Sequence, residues 1–255
     1  MSRLSGKTAL VTGGSRGIGK GIALRLAAEG ALVAVHYGTN EGAAKETVAG
    51  IEEAGGQAFA LGAELGVPGD AAALWAAFDE GLAAHSGGSG LDILVNNAGV
   101  GLYGVVGEVA EADFDRVFAV NAKAPYFIVQ QGLERLRDGG RVINISSGVT
   151  RIAYPITSAY SMTKGAINTL TLTLAQQLGP RGITVNAVAP GLVNTDLTAE
   201  LREPAAQAQA AAFSVFNRVG EPADIGDAVA FLASDDARWV TGQVLDGTGG
   251  SHLGV

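Results

Sequence analysis

The stretch TGGSRGIG, from Thr12 to Gly19, decides the fold. It follows a short apolar run, Thr8–Val11, and opens a helical pattern over Ile18–Ala28. Three of its four glycines, at positions 13, 17 and 19, have the spacing G-x-x-x-G-x-G rather than the more common G-x-G-x-x-G. A strand, a glycine-rich turn and a helix start are typical of sites that bind a pyrophosphate, because the first N–H groups of the helix are free.

Two other motifs overlap this turn, and each lacks a part that its mechanism needs. Gly14–Lys20 reads G-x-x-x-x-G-K, close to a P-loop, but the next residue, Gly21, has no hydroxyl for Mg²⁺. Gly13–Gly17 fits the G-x-S-x-G of a hydrolase, but no earlier strand–helix loop exists to complete an oxyanion hole, and the late His252 lies in a glycine-rich tail. The alternative to a pyrophosphate site is a turn in which the glycines only satisfy a need for small residues.

Outward from the turn, short apolar runs alternate with longer helical patterns along all 255 residues. The early apolar runs show no polar alternation, which indicates parallel strands covered on both faces. We therefore predict one α/β domain over residues 1–255, a doubly wound Rossmann-type fold with a seven-stranded parallel sheet, helices on both faces and ligands at the carboxyl ends of the strands. The predicted strands are Thr8–Val11, Leu32–Tyr37, Gln57–Leu61, Ile93–Val95, Val142–Ile145, Thr184–Val188 and Gln243–Leu245. The predicted helices are Ile18–Ala28, Ala43–Ala54, Ala71–His85, Glu111–Leu136, Ala159–Leu178 and Ala223–Leu232.

Composition excludes several classes of function. The net charge of −8 argues against a nucleic-acid partner, because an acidic surface repels phosphate backbones. The chain has no cysteine and only three widely spaced histidines, so we expect neither disulfides nor a metal site. The polar first residues do not resemble a signal peptide, and no apolar run approaches the roughly 20 residues that span a bilayer. We expect a soluble, cytoplasmic protein without a membrane partner.

The segment Val193–Phe216 breaks the alternation of strands and helices. It is rich in Ala and Gln, and its helical pattern begins just after Pro190–Gly191, beyond the carboxyl end of a predicted strand. Such a position suits a lid over a substrate, and a surface helical excursion is the alternative.

The candidate catalytic residues are Ser147, Tyr160 and Lys164. Ser147 follows the strand Val142–Ile145, and Tyr160 and Lys164 stand four residues apart in a predicted helix, on one face and about 6 Å apart along its axis. Reduction of a carbonyl requires a proton donor, and an ammonium near a tyrosine favours its ionised form and lowers its pKa. Taken singly, a Tyr-x-x-x-Lys pair is commonly a solvated helix face, so the combination with the glycine-rich turn carries the interpretation.

Together these motifs strongly resemble the short-chain dehydrogenase/reductase family over essentially the whole chain. Within the family, the sequence is similar to 3-oxoacyl-carrier-protein reductases, glucose dehydrogenases and polyketide or antibiotic-pathway ketoreductases. The matching segments are TGGSRGIG at 12–19, NNAG at 96–99, Asn121, Ser147, YSMTK at 160–164 and NAVAPG at 186–191.

The resemblance implies a role for each of four catalytic residues. Tyr160 would be the general acid and base, and Lys164 would hold the nicotinamide ribose and depress the pKa of Tyr160. Ser147 would orient the substrate. Asn121 would interrupt its helix and position a proton-relay water; an ordinary polar helix residue is the alternative there.

The turn and the resemblance together predict the cofactor site, with Asn97–Gly99 on the adenine-ribose side, Thr195 on the carboxamide and Glu64 where relatives carry Asp. The expected cofactor-binding residues are Gly13, Ser15, Arg16, Gly17, Ile18, Gly19, Tyr37, Glu64, Leu65, Asn97, Ala98, Gly99, Tyr160, Lys164, Pro190, Gly191, Val193 and Thr195.

NADP(H) is favoured over NAD(H). No carboxylate that could bind a ribose 2′-hydroxyl appears after the second strand until Glu41, and Arg16 could face a 2′-phosphate. Two features weigh against NADP(H): Arg16 could be a solvated surface charge, and Gly38 stands where NADP-dependent relatives often carry a basic residue.

We thus expect an NADPH-dependent reductase of a small-molecule ketone or aldehyde, assembled as a homotetramer or dimer as is usual in the family. An NAD-dependent alcohol dehydrogenase working oxidatively and a non-catalytic dinucleotide sensor are the alternatives. The side chains expected to make the substrate pocket apolar are Leu102, Tyr103, Ile152, Tyr154, Leu192 and Phe213.

Overall fold

A computed structural model describes residues 2–86, 88–198 and 203–251. It contains one sheet of seven strands, all paired in parallel in the order β3-β2-β1-β4-β5-β6-β7. The strands are β1 (Thr8–Val11), β2 (Leu32–Tyr37), β3 (Gln57–Gly62), β4 (Leu91–Asn96), β5 (Leu136–Ile145), β6 (Thr184–Pro190) and β7 (Val244–Gly247). The α-helices among the described residues are α1 (Gly17–Ala28), α2 (Glu41–Glu53), α3 (Asp70–Ser86), α4 (Glu111–Phe118), α5 (Ala124–Gly132), α6 (Ser158–Leu178), α7 (Pro204–Ala211) and α8 (Pro222–Ala233).

Two hydrophobic cores cover the two faces of the sheet. Successive residues of β1 belong to opposite cores: Ala9 and Val11 pack in the core with α1 and α8, and Leu10 packs in the core with α3 and α5. Strand side chains point alternately to the two faces, so a strand buried on both faces needs a continuous apolar run. The predicted Rossmann-type fold is confirmed. None of the described helices is long and apolar enough to cross a membrane.

The order of the strands indicates where along the sheet a ligand should bind. The chain winds outward from β1 to β3, returns to β4 beside β1, and then winds outward in the opposite direction to β7. Open α/β sheets bind ligands where the strand order reverses, so we expect the ligand site at the carboxyl ends of β1 and β4.

The predicted helix Glu111–Leu136 is wrong in its continuity and in its end. Five residues of π-helix, Ala119–Lys123, separate α4 from α5, and α5 ends at Gly132. Leu136 instead begins β5, pairs with Leu91 and is 1 % exposed. Leu136 is held in the sheet by its pairing with β4 and by its packing in the apolar core, so the helix cannot continue through it.

The segment predicted as a lid also differs in detail. Its helix α7 begins at Pro204, not just after Gly191, and Val193 instead forms a β-bridge with Gly220. A proline fits the first turn of a helix, because the N–H that it lacks would have no partner there. Residues 199–202 of the segment, and His252, lie outside the described residues.

Candidate active site

Three positions of the glycine-rich turn favour glycine, two because of their backbone conformation and one because of close packing. Gly13 and Gly17 have positive φ angles of 63° and 52°. At Gly19, a Cβ would lie 2.0 Å from the carbonyl oxygen of Gly13 and 2.5 Å from Nδ2 of Asn97. Any side chain there would push α1 away from the turn.

The start of α1 fits a pyrophosphate. No side chain caps this helix, and its first turn contains no acidic residue. The N–H groups of Gly17, Ile18 and Gly19 have no acceptor within the helix and carry the positive end of its dipole. Ser15 and Arg16 precede them in the same turn, so this edge offers donors and no negative charge from the first helical turn.

The turn after β4 is tied to the turn after β1 by side-chain hydrogen bonds. Asn97 donates from Nδ2 to the carbonyl oxygens of Thr12 (2.8 Å) and Gly13 (3.1 Å). Thr12 Oγ1 accepts from the backbone N–H groups of Asn97 (2.9 Å) and Ala98 (3.0 Å) and donates to the carbonyl oxygen of Val95 (3.2 Å). Sequence reasoning missed Thr12 as a site residue, because its role depends on a segment about 85 residues away.

Ser147, Tyr160 and Lys164 meet at the carboxyl end of β5. Lys164 is buried, donates from Nζ to the carbonyl oxygen of Ile145 at 2.8 Å, and lies over the Tyr160 ring at 5.6 Å from its centroid. The side chain of Ser147 lies close enough to Tyr160 to act on its phenol and lower its pKa. Gly99 faces the same cluster, since a Cβ there would lie 3.7 Å from Nζ of Lys164.

Asn121 lies inside the π-helical turn and is 1 % exposed. Its Oδ1 accepts from the N–H of Val100 and its Nδ2 donates to the carbonyl oxygen of Val100, both at 2.9 Å. Nδ2 also lies 3.3 Å from Oγ1 of Thr163, which donates to the carbonyl oxygen of Tyr160. The amide therefore links the turn after β4 to the helix that carries Tyr160 and Lys164.

Burial controls the pKa values of the pair. It raises the pKa of Tyr160 to about 12; the hydrogen bond from Ser147 opposes this shift and the nearby Tyr103 adds to it. Burial also lowers the pKa of Lys164 to about 8. The expected depression of the Tyr160 pKa by Lys164 is therefore not found, because loss of hydration on burial is the largest cause of the shift and raises the pKa.

The other expected cofactor residues all lie at the same edge of the sheet. The ring of Tyr37 covers Gly62, and Leu65 is half-buried against the core while Glu64 is exposed. After β6, which ends at Pro190, Gly191 packs against Thr248, and the buried Val193 turns its side chain into the core. Thr195 reaches the glycine-rich turn, since a Cβ at Gly17 would lie 3.3 Å from it.

Arg16 points toward the segment after β6. Its Nη1 lies 3.8 Å from Oδ2 of Asp196, and both side chains are exposed. The guanidinium is thus accessible to solvent beside the glycine-rich turn, and an ion pair this exposed contributes little to stability.

The apolar side chains expected at the substrate pocket differ in their exposure. Tyr103, Tyr154, Leu192 and Phe213 are exposed, and Leu102 and Ile152 are half-buried. Above Gly101, Tyr103 and Leu197 approach from two loops, since a Cβ there would lie 3.4 Å from the tyrosine ring and 3.7 Å from the leucine.

Known proteins are similar to this chain over most of its length. The profile of a family described as enoyl-(acyl carrier protein) reductase matches residues 13–252. An uncharacterized oxidoreductase of Methylorubrum extorquens is 43 % identical over 252 residues, covering 98 % of this chain and 99 % of the relative.

Two solved structures are also similar. The reductase LugOII, described as promiscuous and catalysing keto-reduction at C1 during lugdunomycin biosynthesis, is 54 % identical with a TM-score of 0.94, over 97 % of this chain and 98 % of its own. The angucycline C-6 ketoreductase LanV with bound NADP is 52 % identical with a TM-score of 0.96, over 99 % and 98 %.

The chain therefore belongs to the short-chain dehydrogenase/reductase family. It is an NAD(P)-dependent oxidoreductase of that family.

Proposed function

We propose that the protein reduces a ketone or aldehyde to an alcohol with NADPH. The observation that carries the proposal is the meeting of Ser147, Tyr160 and the buried Lys164 beside an uncapped helix start. LugOII and LanV, both described as keto-reducing enzymes, support this direction of reaction.

NADPH held at the glycine-rich turn would supply the hydride. Ser147 donates a hydrogen bond from Oγ to the substrate oxygen and holds it beside Tyr160. Tyr160 donates its phenolic proton to that oxygen as negative charge develops, and its raised pKa keeps it protonated at neutral pH. Lys164 stabilises the resulting phenolate. The family resemblance implies that Asn121 would position a water through which a proton returns.

Preference for NADPH is assigned to Arg16. The guanidinium lies in the cofactor turn and suits a phosphate, and LanV, which shares the fold, is described with bound NADP. We expect Arg16→Leu to raise KM for NADPH about 10- to 100-fold, as loss of a charged hydrogen bond does, and to leave KM for NADH unchanged. Arg25→Leu, at the other end of α1, is the matched control. An equal change in KM for both cofactors would contradict this role.

The substrate is proposed to be an apolar, aromatic ketone. The exposed apolar side chains expected at the substrate pocket, including Tyr103, Tyr154 and Phe213, support this class, and LanV is described as an angucycline C-6 ketoreductase. The described parts of Val193–Phe216, with Leu197 beside Tyr103, are proposed to close over it as a lid. A fused-ring ketone should have a lower KM than an acyclic 3-oxoacyl thioester, and the reverse order would contradict the class.

The active form is proposed to be a homotetramer or dimer in the cytoplasm, where NADPH is regenerated. Large apolar side chains at two places on the surface support association: Leu172 on α6, and Phe231, Trp239, Val244 and Leu245 around α8 and β7. Trp239 is 96 % exposed, which is unusual for so large an apolar ring. Sedimentation should show an assembly that Leu172→Glu or Trp239→Glu dissociates; a monomeric parent protein would refute this part.

Tyr160→Phe tests the reaction. With a panel of ketones, NADPH oxidation should fall at least about 100-fold, because loss of a general acid removes that much or more. Tyr126→Phe, which removes a hydroxyl from an exposed tyrosine of α5, should keep full activity.

Other outcomes separate the alternatives. Equal turnover by Tyr160→Phe and parent would refute the mechanism. Tight NADPH binding without turnover of any carbonyl would favour a sensor. Faster alcohol oxidation with NAD⁺ would favour a dehydrogenase, and reduction of enones without ketones would favour the C=C chemistry that the family description names.

A further inference from the structure

His36 is a buried histidine of β2 that the proposed mechanism does not use. It is 1 % exposed, and both ring nitrogens contact the backbone of neighbouring strand ends. The N–H of Gly13, in the turn after β1, donates to Nδ1 at 3.0 Å, and Nε2 lies 2.8 Å from the carbonyl oxygen of Ala63, just after β3. One ring therefore joins the ends of three adjacent strands at the edge that carries the cofactor site.

These two partners define the state of the ring. A backbone N–H can only donate and a carbonyl oxygen can only accept, so Nδ1 is unprotonated and Nε2 carries the hydrogen. Burial lowers the pKa of His36 to about 4, which keeps the ring neutral over the same range in which the enzyme must bind its cofactor. The bridge thus has one hydrogen-bonding pattern at neutral pH.

The bridge acts on the cofactor turn through Gly13. His36 holds the N–H of Gly13 from one side, and Asn97 holds its carbonyl oxygen from the other at 3.1 Å. The orientation of this glycine determines where the following N–H groups of the turn point. On the opposite side of the ring, Nε2 contacts the carbonyl oxygen of Ala63. The next residue, Glu64, is expected to lie near the adenine of the cofactor.

We infer that His36 is a positioning residue for the adenosine–pyrophosphate half of the cofactor. It acts through Gly13 and Ala63 and does not contact the reacting atoms. The inference rests on the proposed NADPH site. A histidine that only stabilises the core would share its burial, but its loss would lower stability without a selective effect on nucleotide affinity.

Two amide substitutions test the two hydrogen bonds of the His36 ring separately. In His36→Asn, Oδ1 takes the position of Nδ1 and can still accept from Gly13. In His36→Gln, Nε2 takes the position of the imidazole Nε2 and can still donate to Ala63, but the Gly13 N–H loses its acceptor. Both variants keep a neutral, polar side chain, so they differ mainly in which strand end they hold.

Binding is measured by titration of the purified full chain with NADPH and with adenosine 2′,5′-bisphosphate, which carries only the adenosine half. We expect His36→Gln to raise both Kd values about 10-fold or more, and His36→Asn to remain within about 3-fold of the parent, since a buried N–H without an acceptor is the costlier loss. At saturating NADPH, kcat should remain within about 2-fold for both variants, because the catalytic cluster is untouched.

Asn186→Leu is the matched control. Asn186 is also 1 % exposed and also bridges two backbone groups, donating to the carbonyl oxygen of Val240 at 2.8 Å and accepting from the N–H of Gln243 at 3.1 Å. It should lower Tm without changing either Kd. Equal Kd values for His36→Asn and His36→Gln, or an equal loss of affinity in Asn186→Leu, would overturn the inference. A parent protein that binds no NADPH would instead overturn the proposed function.

Discussion

Replacing Lys164 with methionine removes a buried ammonium group from the Tyr160 ring while keeping an unbranched side chain of similar length. Nζ lies 5.6 Å from the ring centroid. When Tyr160 gives up its proton, a unit positive charge at about this distance stabilises the phenolate by about 3 kcal/mol at an effective dielectric constant of about 20. We therefore expect kcat/KM for the ketone to fall about 100-fold in Lys164→Met at neutral pH.

The pH dependence gives this prediction a second readout. Burial lowers the pKa of Lys164 from 10.5 to about 8, so the ammonium is present below pH 8 and is lost as the pH rises through that value. The parent enzyme should lose activity above pH 8, and Lys164→Met should lack this inflection because it has no proton to lose.

The assay is NADPH oxidation at saturating NADPH across this pH range, which separates the chemical step from cofactor affinity. Lys7→Met, which removes a half-exposed lysine paired with Asp92 at the opposite end of the sheet, is the control. A loss smaller than about 5-fold, or an inflection near pH 8 that survives in Lys164→Met, would refute the electrostatic role of Lys164.

Two further predictions follow from packing and burial. Gly19→Ala would place a Cβ 2.0 Å from the carbonyl oxygen of Gly13, so NADPH affinity should fall about 10-fold or more in a fluorescence titration. Gly165→Ala is the control, because nothing lies within 4 Å of a Cβ there, and it should bind NADPH like the parent. Equal affinity of the two variants for NADPH would contradict the close packing of the turn. Burial lowers the pKa of His36 from 6.5 to about 4, so the unfolded chain takes up this proton first as the pH falls. The contribution of the neutral ring to the free energy of unfolding is fully present above pH 6.5 and is lost as the pH falls toward 4, by about 3 kcal/mol in urea unfolding. If His36 is the source of this pH dependence, His36→Asn should lose less stability over the same range.

The sequence predicted the sheet well because burial on both faces imposes a continuous apolar run. The bounds of β1 and β2 agree with the prediction, and the other strands differ from theirs mainly at the ends. The glycine-rich turn was equally visible, since the positive φ angles of Gly13 and Gly17 restrict the residue type. The spacing of Tyr160 and Lys164 was sufficient to place both on one face of α6.

The break between α4 and α5 was not visible in the local pattern. The residues from Glu111 to Leu136 look like one helix, and only the resemblance to a family implied an interruption at Asn121. In the structure, Asn121 bonds Val100, which lies 21 residues earlier, and Leu136 pairs with Leu91 in the sheet. Contacts between distant segments outweigh helix propensity at both places.

The sequence by itself therefore determined the parallel sheet and predicted the cofactor turn and the candidate catalytic side chains, because each depends on residue type and short-range spacing. The tertiary structure decided how Thr12, Asn97 and His36 hold that turn, and where Asn121 interrupts its helix. It also decided that burial raises the pKa of Tyr160 and lowers that of Lys164. Burial and long-range hydrogen bonds depend on which segments meet in space, and neither spacing nor composition specifies that.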